Sequence, residues 1–98
     1  MEDTNKVQQV FELMVEEVGK GLRAKTGRSW DMSYLFDANT FSLTARTRME
    51  DGQIYAASTT RDIEIIHPDR VPASTAVNVM ITALYERFFH DTTRKEQR

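Results

Sequence analysis

Lys20, Arg23, Lys25 and Arg28 fall within one stretch, residues 19–30 (GKGLRAKTGRSW), which also holds three glycines and a tryptophan and no acid. Basic side chains grouped this closely can grip phosphate as point charges. A phosphate-binding loop of the G-x-x-x-x-G-K-[ST] kind needs that spacing between a strand and a helix. Here Lys25-Thr26 is preceded by Ala24, and the segment follows a helical pattern, so spacing and context both fail. Two readings stay open. The cluster is part of a binding patch, or it sits where a helix C-terminus favours positive charge.

The second basic group lies on alternating positions further along. Phe41, Leu43, Ala45, Thr47 and Met49 interleave with Ser42, Thr44, Arg46 and Arg48, the period of a half-buried strand. Asp51-Gly52 follows, a strong signal for a two-residue type I′ hairpin turn. With that turn, Met49 faces Ile54, Thr47 faces Ala56 and Ala45 faces Ser58 on the inward side. Arg48 then faces Tyr55, Arg46 faces Ala57, Thr44 faces Thr59 and Ser42 faces Arg61 on the outward side. That register predicts an outer face of arginines, hydroxyls and one tyrosine without an acid. Arginine pairs bidentately with phosphate or carboxylate and stacks on aromatic planes. The expected partner-binding set is Arg46, Arg48, Tyr55 and Arg61, extended by Arg23, Lys25 and Arg28; the plain alternative is a solvated strand face.

Constellations for catalysis are sparse. His67 and His90 stand in a loop and at a helix end, with no H-E-x-x-H or comparable spacing. His67 and Asp69 read as a strand end and a helix cap. Glu16-Glu17 and Glu50-Asp51 are adjacent acids that diverge on a helix or occupy a turn tip, unlike a paired-carboxylate site. Ser74 and Thr75 lack a histidine neighbour. We therefore expect no enzyme, no cofactor and no metal ligand set.

The elements that would position these residues follow from periodicity. Val7, Val10, Phe11, Met14, Val15, Val18 and Leu22 recur at spacings of three and four, one stripe of a helix over 3–26. Asp3 or Thr4 is the expected cap, and Thr26-Gly27 the stop. Trp30, Met32, Tyr34 and Phe36 alternate with polar residues as a first strand, and residues 37–40 (DANT) read as a turn. In the register above, Ile63 and Ile65 fall on the wrong face, so a bulge near residues 59–61 is expected in a third strand reaching about Ile66. Residues 67–72 form a loop bounded by two prolines. A second helix over 72–91 carries Val77, Met80, Ile81, Leu84, Tyr85 and Phe88 on its stripe, and residues 92–98 read as a frayed tail. Val79 and Phe89 fall off that stripe and are the expected self-association residues. The fold class is α+β: two layers, helix–three-stranded antiparallel meander–helix, with both helices on one face of the sheet.

The order of elements resembles that of the double-stranded RNA-binding domain over residues 5–90. The resemblance implies a second helix that opens with a phosphate-gripping lysine cluster. The corresponding segment, residues 72–79 (PASTAVNV), holds no basic residue. The compact, cysteine-free, acidic character is also similar to that of small phage-encoded inhibitor proteins, which implies an inhibitor or regulator of viral origin.

Composition sets the outer bounds. At 98 residues with no cysteine, the chain is expected to be a single domain over 1–98, without disulfides and cytoplasmic. The N-terminal decapeptide is acidic and polar, unlike a secretory signal. No apolar run approaches the ~20 residues of a membrane span. Net charge is −2, but it is segregated: residues 1–18 sum to −4, 19–48 to +4, 49–72 to −3 and 73–98 to +1. The expected function is a small non-enzymatic interaction protein, an inhibitor or regulator, binding a protein partner and forming a homodimer. The alternatives are a nucleic-acid or nucleotide binder on the same basic residues, and a virion or assembly component.

Overall fold

A computed structural model describes the backbone of residues 2–96 and the side chains of residues 8–93. The order is α1 (Glu2–Thr26), β1 (Asp31–Asp37), β2 (Thr40–Arg48), β3 (Ile54–Asp62), a short α2 (Ile63–Ile66) and α3 (Ala73–Glu96). The strands form an antiparallel sheet in the order β1-β2-β3, and the long helices pack against the sheet. The chain is α+β, as its periodicity implies.

α1 ends where glycine allows it to. Gly27 adopts φ +72° and its N–H donates to Arg23 O at 2.8 Å, a left-handed stop after Thr26. Its start differs from expectation. The helix already includes Glu2, so Asp3 and Thr4 lie inside the first turn instead of capping it. Phe11, Met14, Val15, Val18 and Leu22 are buried, and Val10 packs beside them. The side chain of Val7 lies outside the described residues.

The two long helices run parallel. Lys25 lies over the ring of Tyr85, and Gly21 lies against Ile81. A Cβ at Gly21 would collide with Ile81 Cδ1 and stand 3.0 Å from Cγ1, so this glycine sets how closely the helices approach. Ala76, Met80, Ile81 and Leu84 are buried on the α3 stripe, with Val77 and Tyr85 packed against it. α3 continues to Glu96, past the expected end near residue 91, because Arg, Lys and Glu are good helix formers. Residues 92–96 are therefore helical, and the remainder of the expected frayed tail lies outside the described residues.

The main correction concerns the second hairpin. Arg48 pairs with Ile54, Thr47 with Tyr55, Arg46 with Ala56, Ala45 with Ala57, Thr44 with Ser58, Leu43 with Thr59, Ser42 with Thr60 and Phe41 with Arg61. The loop is longer than Asp51-Gly52: Met49 N–H donates to Gln53 O (2.8 Å) and Gly52 N–H to Met49 O (2.9 Å). Gly52 at φ +87° makes the reversal, and Asp51 Oδ1 accepts from Gln53 N–H at 3.0 Å. A one-residue change in loop length moves every following side chain to the other face. The physical reason is burial. Tyr55 turns inward against Trp30 and Phe88, while Ile54 is left 55% exposed outside. An aromatic ring has more apolar surface to remove from water than an isoleucine.

With this phase the strand needs no bulge. Tyr55, Ala57, Thr59 and Arg61 fall inward in one unbroken ladder, and Ile63, which opens α2, packs against the core. β3 ends at Asp62 rather than Ile66, because Asp62 Oδ1 accepts from Glu64 N–H and caps α2. α2 then buries Ile66 and leaves Ile65 exposed. Asp69 does not cap α3. Its N–H donates to His67 Nδ1 in the loop instead (3.1 Å).

Candidate functional site: the open sheet face

The inner face of the sheet is filled by Phe41, Leu43, Ala45 and Thr47 from β2, with Met32, Tyr34 and Phe36 from β1 and Ala57 from β3. Thr47 is the buried polar residue there, and its Oγ1 donates to Ser29 O at 2.8 Å. Phe11 of α1 joins the rings of Phe36 and Phe41 at centroid distances of 5.4 and 4.9 Å. Trp30, Tyr55 and Phe88 form a second aromatic group at the opposite end of the strands.

The outer face carries no helix, and its composition is set by the corrected register. From the hairpin-loop end downward, its rows are Arg48 with Ile54, then Asp31–Arg46–Ala56, Ser33–Thr44–Ser58, Leu35–Ser42–Thr60 and Asp37–Thr40–Asp62. Hydroxyls in the middle satisfy one another: Ser42 with Thr60 and Thr44 with Ser58, both at 3.0 Å. The arginines lie at one end. Arg46 Nη1 donates to Ser33 Oγ at 3.2 Å, and Arg48 Nη1 reaches Gly52 O at 3.5 Å. Asp31 stands opposite Arg46 in the ladder, yet among the described residues no ion pair joins them. A shallow depression of about 440 Å³ opens here, lined by Ser29, Trp30, Asp31, Arg46, Thr47, Arg48 and Ile54.

The expected seven-residue patch therefore divides. Arg46 and Arg48 are exposed on the outer face. Arg28 sits at its rim, donating to Arg48 O at 3.1 Å and pairing with Glu50, with its guanidinium near the Phe88 ring. Lys25 is on the helix layer over Tyr85, and Arg23 is exposed in the last turn of α1. Tyr55 and Arg61, expected on the outer face, point inward because of the register change. Tyr55 Oη donates to Asp91 Oδ2 at 2.6 Å, and burial, followed by that hydrogen bond, raises its pKa well above the usual phenol value. Tyr34 Oη similarly donates to Glu12 Oε1 (3.0 Å), which raises its pKa.

The expected self-association residues are both accessible, Val79 at 40% and Phe89 at 57%. Phe89 stacks loosely on Tyr85 at 6.2 Å. Val79 lines a groove beside β3 that sequence reasoning did not anticipate. The unsigned clue was the run of small residues around it: Thr75, Asn78, Thr82 and Ala83 share the groove with Arg61 and Glu86.

Among the described residues no cluster of three or more metal-ligating side chains occurs, and no helix is long and apolar enough to cross a membrane. Comparison of the chain with protein-family models, with curated proteins and with solved structures returns no match.

Proposed function

We propose that this chain is a small, non-enzymatic interaction protein of the cytoplasm that recognises a protein partner through the open face of its sheet. An inhibitory or regulatory role fits this reading, and a virion or assembly component is a weaker alternative. The single observation that carries the proposal is that, among the described residues, Arg46 and Arg48 pair with neutral oxygens only, on a face that no described element covers. A guanidinium whose partners are a hydroxyl and a carbonyl keeps donors for an incoming carboxylate, and arginine is favoured at recognition surfaces for that reason. Trp30 and Ile54 beside them supply apolar area at the same spot.

The charge layout favours a protein over a nucleic acid. A phosphate backbone running across the face would meet Asp37 and Asp62 at the far end and Asp31 beside Arg46. The basic residues do not line up as a track: Lys25 and Arg23 belong to the helix layer, and Arg61 lies beneath the sheet. A partner with carboxylates opposite Arg46 and Arg48, and polar groups over the hydroxyl rows, meets the arginine end and the middle of the face.

The test is capture by tagged protein from native lysate, with and without nuclease and over a range of salt. The expected result is a protein species retained after nuclease, lost with Arg46→Glu/Arg48→Glu, and only modestly salt-dependent. Loss on nuclease treatment, with affinity falling steeply in salt as counterion release demands, favours nucleic acid instead.

A further inference from the structure

We infer that two copies of this chain pair edge to edge through β3, making one six-stranded sheet with the two α3 helices side by side. The inference is independent of the open-face reading, because it uses the edge of β3 and not its outer face.

The free edge follows from the phase of the hydrogen bonds. Met49 N–H donates to Gln53 O at one end of the β2–β3 ladder, and Ile63 N–H donates to Asn39 O at the other. In an antiparallel pair, hydrogen-bonded positions alternate along each strand. The odd residues of β3 are therefore bonded to β2. Ile54, Ala56, Ser58, Thr60 and Asp62 direct their N–H and C=O groups away from it, along the sheet margin. Unguarded edges of this kind template pairing with another strand. Proteins blunt them with proline, lysine, a bulge, an inward-pointing charge or a covering element. β3 has no proline, lysine or bulge and runs from Ile54 to Asp62 in one regular register, and its one inward charge, Arg61, lies near its end.

The edge is also self-complementary. A two-fold axis normal to the sheet at Ser58 pairs Ser58 with itself, Ala56 with Thr60 and Ile54 with Asp62. All of these are outward-bonding positions, and the alignment uses the whole strand. The same rotation leaves both helix layers on one side and both open faces on the other.

The groove beside the edge supplies the second observation. Arg61 points inward from β3, and its buried Nε finds no hydrogen-bond partner among the described residues. It lies in the roughly 460 Å³ groove with Thr75, Val79, Thr82 and Glu86 of α3. α3 runs antiparallel to β3, since Phe88 packs on Tyr55 near the start of the strand while Arg61 lies near its end. Glu86 is thus toward the Tyr55 side of Ser58, and Arg61 is on the other side. Rotation about Ser58 exchanges those ends, bringing Glu86 of the second copy toward Arg61 of the first. The small side chains between them let two helices approach, with Val79 at the contact. A partly buried guanidinium and an exposed carboxylate then pair twice in the dimer, so charge complementarity selects a second copy as the occupant.

The test is the solution mass by sedimentation equilibrium across a concentration series, for the whole chain and three sets of variants. The wild-type chain is expected to form a dimer. Ser58→Pro removes an edge N–H that no partner among the described residues uses, together with the exposed hydroxyl bond to Thr44, so it should give a monomer with unchanged circular dichroism. Arg61→Glu and Glu86→Arg should each weaken the dimer by about tenfold or more, and the double reversal should recover it. A wild-type monomer at every concentration overturns the inference. So does a dimer that survives both single charge reversals, or one that the double reversal fails to recover. Should Ser58→Pro not fold, the charge pair alone decides.

Discussion

The two faces of the sheet share three strands and nearly identical backbone geometry, yet they differ in what their side chains do for the fold. The inner face holds the rings of Tyr34, Phe36, Phe41 and Tyr55 with Leu43 and two alanines, closed over by both helices. The outer face holds rows of serine and threonine that hydrogen-bond to each other in water, with Arg46 and Arg48 at one end. Burial of the inner residues removes apolar area from water and dominates stability. Exposed hydroxyl pairs replace hydrogen bonds to water with bonds of similar worth, so they contribute little. The lesson is that the outer face is free to be shaped by recognition, because the fold scarcely depends on it.

That contrast can be broken most forcefully from the inside. Phe41 is fully buried beneath three aromatic neighbours, and Phe41→Ala should cost about 3–5 kcal/mol, seen as a large fall in the urea midpoint. Gly21→Val forces a side chain into Ile81 and should cost about 1–3 kcal/mol in the same measurement, by pushing α1 from α3. Retention of wild-type stability by either variant would mean that the helix layer is not packed as described.

A subtler test uses pH. Tyr55 is held neutral in the fold, by burial first and then by its hydrogen bond to Asp91. Its folded pKa lies above the unfolded value of about 10, so its stabilisation is complete below that pH and is lost as pH rises beyond it. Tyr55→Phe should lower stability by about 1 kcal/mol at neutral pH. The gap between variant and wild type should shrink above about pH 10, as wild type loses its advantage. A gap that stays constant to high pH would argue against the hydrogen bond. The smallest effect is expected outside: Thr44→Val with Ser58→Ala removes a hydroxyl pair and should shift stability by less than about 0.5 kcal/mol.

Much of this architecture is legible in the sequence. The stripe from Phe11 to Leu22, the period-two run from Met32 to Phe36 and the Thr26-Gly27 stop each carry a local physical signal, and each is found in place. The candidate site was only half legible. Arg46 and Arg48 are outward because β2 itself fixes them, opposite the buried Phe41, Leu43 and Ala45. Tyr55 and Arg61 depend on the hairpin loop, where the local preference of Asp51-Gly52 for a tight turn competes with burial of a distant ring. The out-of-phase Ile63 was the available clue. It points to a strand whose phase is reset at the loop, whereas a bulge inside the strand was the expected remedy. The division of the basic cluster was not legible at all, since Arg28 reaches Glu50 and Lys25 reaches Tyr85 only through tertiary packing.

The most direct measurement takes both readouts on one protein, Arg46→Glu/Arg48→Glu. If the outer face serves recognition and not folding, its melting temperature should stay within about 4 °C of wild type while partner capture is lost. A large drop in melting temperature, or capture that persists undiminished, would contradict the division of labour between the two faces.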